Sequence, residues 1–98
     1  MRTAAKVDHN QKEIITAFRK FGCSVLPLHT IGQGCPDLLV SKSEHKTVLV
    51  EVKDGNKPPS ARALTKDQEK FHSAWRGRIC IVKDLGDVIS TVKLLEAD

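Results

Sequence analysis

Two carboxylates and an ammonium group stand near one another in the middle of this chain. Asp37 opens the run Pro36-Asp37-Leu38-Leu39-Val40, and Glu51 and Lys53 lie in Leu49-Val50-Glu51-Val52-Lys53. Both runs are apolar enough to read as strands. Side chains alternate along a strand, so Glu51 and Lys53 point one way while Val50 and Val52 point the other. Two acids and a lysine on one face of a sheet are misplaced in an ordinary core. They make sense holding a hard divalent cation beside a scissile phosphate.

Magnesium takes a near-octahedral shell of oxygens and keeps several waters, so Asp37, Glu51 and the backbone carbonyl of Val52 suffice as protein ligands. Lys53 either orients or deprotonates the attacking water or stabilises the charged transition state, and the sequence leaves these roles open. Each residue also has a plainer reading. An Asp after Pro is often a turn residue, and Glu-x-Lys can be the solvated face of an antiparallel strand. The apolar neighbours Leu38, Leu39, Val40, Leu49, Val50 and Val52 favour a sheet covered on both sides, with the acids in a cleft at its end.

Four further positions have two readings each. Glu13 is either a surface glutamate favoured by the dipole of the first helix or a further acid reaching the cluster. Gln68 either bonds back to the Thr65 backbone as an N3 residue or reaches Lys53 or the phosphate. Lys57 and Arg62 are either solvated loop charges or contacts to a nucleic-acid backbone. Lys66, at the start of the second helix, is grouped with them as a DNA-binding residue.

These residues must be positioned by a small set of elements. Asp8 can cap a first helix from about His9 to Phe21, with Val7, Ile14, Phe18 and Phe21 on one stripe and Gly22 ending it. Ser24 to His29 reads as a strand in which Pro27 suggests an edge position. The Asp37 to Ser41 and Thr47 to Lys53 runs form an antiparallel hairpin. A turn-rich, basic loop covers Asp54 to Ala63. Thr65-Lys66-Asp67-Gln68 has the form of a capping box opening a helix to about Trp75, with Leu64, Gln68, Phe71 and Trp75 on one buried face. Arg78 to Lys83 is a fourth strand, and Asp87 can cap a final helix carrying Val88, Ile89, Val92 and Leu95. The order is αβββαβα, with the third and fourth strands parallel through a right-handed crossover.

The bulk properties narrow the function classes. A chain of 98 residues makes one domain, residues 1–98, with a two-layer core. No apolar run approaches a membrane span and no signal-peptide core opens the chain, so the expectation is an intracellular, cytoplasmic protein. Cys23, Cys35 and Cys80 form no Cys-x-x-Cys pair, which argues against a zinc site or a disulfide framework. Cys35 has no adjacent base to make it a nucleophile. The four histidines show no ligand spacing. A net charge of +4 tilts towards nucleic acid without deciding it.

Gly34-Cys35-Pro36-Asp37, then Glu51-Val52-Lys53, then Leu64-Thr65-Lys66-Asp67-Gln68 resembles the PD-(D/E)XK nuclease superfamily. More narrowly it resembles the stand-alone VRR-NUC domains, many of them phage-encoded, over nearly the whole chain. The resemblance implies a restriction-endonuclease-like α/β fold: an αβββαβ core with a four-stranded mixed sheet flanked by helices, plus a C-terminal helix. It also implies a Mg2+- or Mn2+-dependent DNA endonuclease in a bacterial or phage-infected cell. Asp37 and Glu51 are then metal ligands, Lys53 is catalytic, Gln68 supports it, and Glu13 matches the first-helix acid of many members. Small members of this group are typically homodimers that cut four-way DNA junctions, so a dimeric Holliday junction resolvase is the leading expectation. A nuclease acting on flapped, nicked or duplex DNA, or a non-catalytic DNA-binding module, is the alternative. The final helix and the apolar edge near Pro27 are the candidate dimer contacts.

Overall fold

Short, largely apolar runs in the chain build a four-stranded sheet, and helices supply its cover. The computed structural model describes residues 8–97. In order, the elements are α1 (Gln11–Lys20), β1 (Ser24–Pro27), β2 (Leu38–Ser43), β3 (Lys46–Val52), α2 (Pro59–Arg62), α3 (Lys66–Ala74), β4 (Ile79–Val82) and α4 (Leu85–Glu96). The strands lie in the order β1-β2-β3-β4, with the first three antiparallel and β4 parallel to β3. A parallel pair needs a crossover, which α2 and α3 provide. This is the mixed sheet with flanking helices and a C-terminal helix implied by the motifs. Pro27 sits on the edge strand, as expected, where its missing N–H is tolerated. Among the described residues no helix is long and apolar enough to cross a membrane.

One face of the sheet is closed. Leu38, Val40, Val48, Val50, Val52 and Val82 form a buried cluster with Ile14 and Phe18 of α1 and Val88, Val92 and Leu95 of α4. Each such side chain contributes roughly 1.5–3 kcal/mol by leaving water. The opposite face carries Leu39, Leu49 and Glu51, and on β4 Ile79 and Ile81. Helix α3 covers it at the end near Glu51, where Leu49 is also buried, at 7% exposure. The expectation of a sheet covered on both sides therefore fails in part: Leu26 is 55% exposed and Ile81 44%. One helix is about 10 Å across, roughly two strand spacings, and cannot shield four strands.

Several boundaries differ from the sequence expectation for identifiable reasons. The first helix begins at Gln11, and Asp8 does not cap it; Asp8 gives only its main-chain carbonyl to the Gln11 N–H, at 3.1 Å. The N-cap residue Asn10 makes no side-chain cap either, because its Nδ2 donates to the carbonyls of Lys53 (3.1 Å) and Lys83 (3.0 Å). It thereby ties the start of α1 to the ends of β3 and β4. Val7, placed on the helix stripe, lies outside the described residues.

The final helix is capped by Asp84 and not Asp87: Asp84 Oδ1 accepts from the Asp87 N–H at 2.9 Å. The Asp87 carboxylate is used instead to hold the Lys83 N–H (3.0 Å) and Nζ (2.9 Å). The basic loop contains a single helical turn, α2, whose first residue Pro59 is pre-set for that position. The Thr65/Gln68 capping box is present on both sides. Trp75 ends α3, yet it is not buried: it is 48% exposed and stacks on Phe71 with ring centroids 5.5 Å apart.

Candidate active site

The register of the hairpin sets the site. Leu38 pairs with Val50, so Asp37, one residue earlier, stands opposite the Glu51-Val52 step of β3. Its Oδ2 accepts from the Val52 N–H at 2.7 Å, taking over where the strand ladder ends. A residue's N–H and C=O project from the same side of a strand. The Val52 carbonyl therefore also faces Asp37. Glu51 is 1% exposed and Lys53 7%, both on the face away from the aliphatic core.

The other wall is α3. Gln68 Oε1 accepts from Lys53 Nζ at 2.8 Å and from the Thr65 N–H at 2.9 Å, while Nε2 donates to Glu51 Oε2 at 3.2 Å. The two readings of Gln68 are thus both satisfied by one amide. One turn later, His72 Nε2 lies 3.4 Å from Glu51 Oε1. The two α3 side chains grip the two oxygens of one carboxylate. Gly34 makes this approach possible: at φ +79°, a Cβ there would meet the Asp67 carbonyl oxygen at 2.2 Å. The glycine before Pro-Asp and the Thr-x-x-Gln cap are therefore packed against each other in space.

The electrostatics are those of acids short of positive charge. Burial, then the hydrogen bond and charge of Asp37, push the Glu51 carboxyl up to about 9, with Lys53 opposing. Glu51 keeps its proton at neutral pH and shares it with Asp37. Burial and then Lys53 hold His72 below its ordinary value, so its imidazole is neutral. Asp8 is raised, chiefly by burial and further by Asp37, with Lys53 opposing. Burial chiefly, with Glu51 and Asp37 adding to it, raises the Cys35 thiol, which disfavours its thiolate.

Does this donor set fit a metal? Asp37, Glu51 and the Val52 carbonyl are hard oxygens around acids that repel each other. A hard cation would take the place of the shared proton. Among the described residues no three His, Cys, Asp or Glu side chains converge on one point. The set therefore matches a cation that keeps most of its water, as magnesium does, and not a closed nitrogen or sulfur cage.

Of the residues singled out from the sequence, Asp37, Glu51, Val52, Lys53 and Gln68 are brought together. Glu13 is not: it is exposed on α1 and lines a separate cavity with Asn10, Asp54, Lys83 and Asp84. Lys57 approaches Asp8 at 3.9 Å, Arg62 ends α2, and exposed Lys66 opens α3. The sequence reading missed three residues. His72 carried a usable signal, four residues beyond Gln68 and so on the same helix face. Asp8, within the field of the cluster, and the bridging Asn10 carried none.

A mixed sheet with Asp, Glu and Lys at the end of its central hairpin, and a helix supplying Gln, defines the PD-(D/E)XK nuclease architecture. A solved structure described as a VRR_NUC domain matches this chain with a TM-score of 0.64 and 28% sequence identity, covering 85% of this chain and 89% of that one. The chain has the VRR-NUC fold, that of a PD-(D/E)XK nuclease family, as its motifs implied. No protein-family model and no curated protein matches the sequence.

Proposed function

We propose that this protein is a metal-dependent, structure-specific DNA endonuclease working as a homodimeric Holliday junction resolvase. The observation that carries the nuclease reading is the meeting of Asp37, Glu51, Lys53 and Gln68 in one hydrogen-bonded cluster on a VRR-NUC fold. Asp37, Glu51 and the Val52 carbonyl would hold Mg2+ or Mn2+. When bound, the cation supplies Lewis-acid charge that activates water and offsets charge on the phosphate. Gln68 fixes Lys53 with a neutral acceptor, which leaves two of its three N–H donors for water or phosphate. Lys57, Arg62 and Lys66, on the loop and helix leading to Gln68, are suited to phosphates of the DNA backbone. Junction resolution is favoured by the need for two paired cuts, which two copies of so small a site deliver.

The test is a panel of labelled four-way junction, flap, nicked and plain duplex DNA, incubated with Mg2+, Mn2+ or EDTA. Paired nicks on the junction in Mg2+, none in EDTA, and junction binding without cutting by Asp37→Ala and Glu51→Ala are expected. Failure to cut any substrate, or cutting that survives chelation, overturns the nuclease reading. Preference for flaps or duplex retains the chemistry and replaces the substrate.

A further inference from the structure

We propose that Trp75 is a stacking platform for a DNA base that has left the duplex at a branch point, held within reach of the acid and lysine cluster. The inference rests on the DNA-nuclease reading and adds the feature of the DNA that the site would recognise. Trp75 follows Gln68 by seven residues and His72 by three, so all three share one face of α3. Its N–H still closes the last turn on the Phe71 carbonyl, at 2.9 Å. The indole therefore stands about 10 Å along the helix from Gln68. That is the length of about three stacked nucleotides. A strand with a phosphate at Lys53 and Gln68 would reach it.

The ring is both preset and open. Tryptophan is a highly buried residue type on average, yet Trp75 is 48% exposed. It lies beside Phe71 with ring centroids 5.5 Å apart and planes 17° apart, an offset stack. The chain then turns closely around it at Gly77, where a Cβ would stand 2.7 Å from the indole Nε1. Phe71 and Gly77 thus hold the ring from two sides and leave the rest of it to solvent. An aromatic group fixed in this way binds without the ordering cost that a mobile side chain carries.

Charge says what the ring would take. Arg76 and Arg78 stand on either side of Gly77 in the chain, and both are exposed. Neither is ion-paired among the described residues. No Asp or Glu occurs between Glu69 and Asp84. An aromatic ring bordered by unpaired guanidinium groups is the combination that holds an unstacked base and its phosphate. A second copy of the chain suits this place less well, because a two-fold contact at Trp75 would bring the arginines of both copies together. Every base has a π-face, so such a platform reads the branching of the DNA and not its sequence.

The chain has one tryptophan and no tyrosine, so its indole emission reports on this ring alone. In EDTA, to hold back cutting, the full chain is titrated with a forked duplex bearing oligothymidine arms and with the blunt duplex of the same paired sequence. Quenching by the fork and none by the blunt duplex is expected. Trp75→Ala is expected to weaken binding of the labelled fork, read by anisotropy, by about 5- to 150-fold. Its blunt-duplex affinity and its Mn2+-induced rise in melting temperature should match the wild type, and Trp75→Phe, which keeps a ring, should recover part of the loss. A fork that binds without quenching, a fork affinity undiminished in Trp75→Ala, or equal losses on fork and blunt duplex overturns the platform and leaves the nuclease reading to the cleavage panel. Emission that shifts with protein concentration in the absence of DNA gives the ring to a second copy and overturns the platform too. Binding of neither DNA overturns the DNA reading as well.

Discussion

On β3, Val50 and Val52 look into a core closed by α1 and α4, whereas Glu51, with Lys53 just past the strand's end, looks into a polar cluster held by α3. The two sets alternate along one strand, yet they are stabilised by opposite means. The valines gain by leaving water and need no particular partner. The glutamate is as fully buried, at 1% exposure. Burial costs it its charge unless a partner compensates. Gln68, His72 and Asp37 supply hydrogen bonds, and the charge itself is removed by keeping the proton. One face of the strand thus specifies the fold, and the other carries the polar cluster that the proposed cation would enter.

Substitutions on the two faces should separate these roles. The largest effect is expected on the polar face: Asp37→Ala should lower junction cleavage by about a thousandfold or more, equivalent to about 4 kcal/mol of barrier, while the chain still folds. Cleavage within tenfold of wild type would remove Asp37 from the reaction. On the aliphatic face, Phe18→Ala should cost about 3–5 kcal/mol of stability, read by denaturant unfolding. Its cleavage rate at a temperature where it remains folded should change little. A variant of Phe18 that melts normally but cannot cut would break the division between the faces.

The proton on Glu51 gives a pH test. Its folded pKa, about 9, lies above the ordinary value near 4.5, so the folded chain holds a proton that the unfolded chain has released. This contribution to stability is full below the ordinary value and is lost as pH rises towards 9. In EDTA the melting temperature should therefore fall across that window, by about 4–8 °C for each ~1 kcal/mol lost. Glu51→Gln should flatten the fall. A wild-type curve as flat as that of Glu51→Gln would contradict the buried neutral acid.

A smaller effect is expected at His72, which touches one oxygen of Glu51 without itself facing Asp37. Groups that orient a metal-ligating carboxylate typically contribute 10–100-fold in metal affinity or activity. His72→Ala should lose about that much Mn2+ affinity, and His72→Gln, which restores a donor, should recover part of it. Unchanged affinity in His72→Ala would make the 3.4 Å contact incidental.

Much of this was legible in the residues themselves. Alternation placed Glu51 and Lys53 on one face, Pro27 marked the edge, and Thr65-x-x-Gln68 announced a helix start that proved also to be the wall of the site. Less local features were not. Asp84 and Asp87 are equally good caps by type, and the choice between them was made by Lys83, which Asp87 grips. Asn10 serves β3 and β4 from 43 and 73 residues away, a distance no local pattern spans. The open part of the sheet face beside α3 was hidden because continuous apolar strands look alike whether or not a helix covers them.

The most direct test of the acid pair as a metal site is calorimetric titration of Mn2+ into the wild type at pH 7.5 in two buffers of different ionisation enthalpy. Saturable binding is predicted, with release of close to one proton from Glu51 as the cation displaces it. Asp37→Ala should lose the binding and Glu51→Gln should lose the proton release. Binding that persists unchanged in both variants, or no binding to the wild type, would contradict the account.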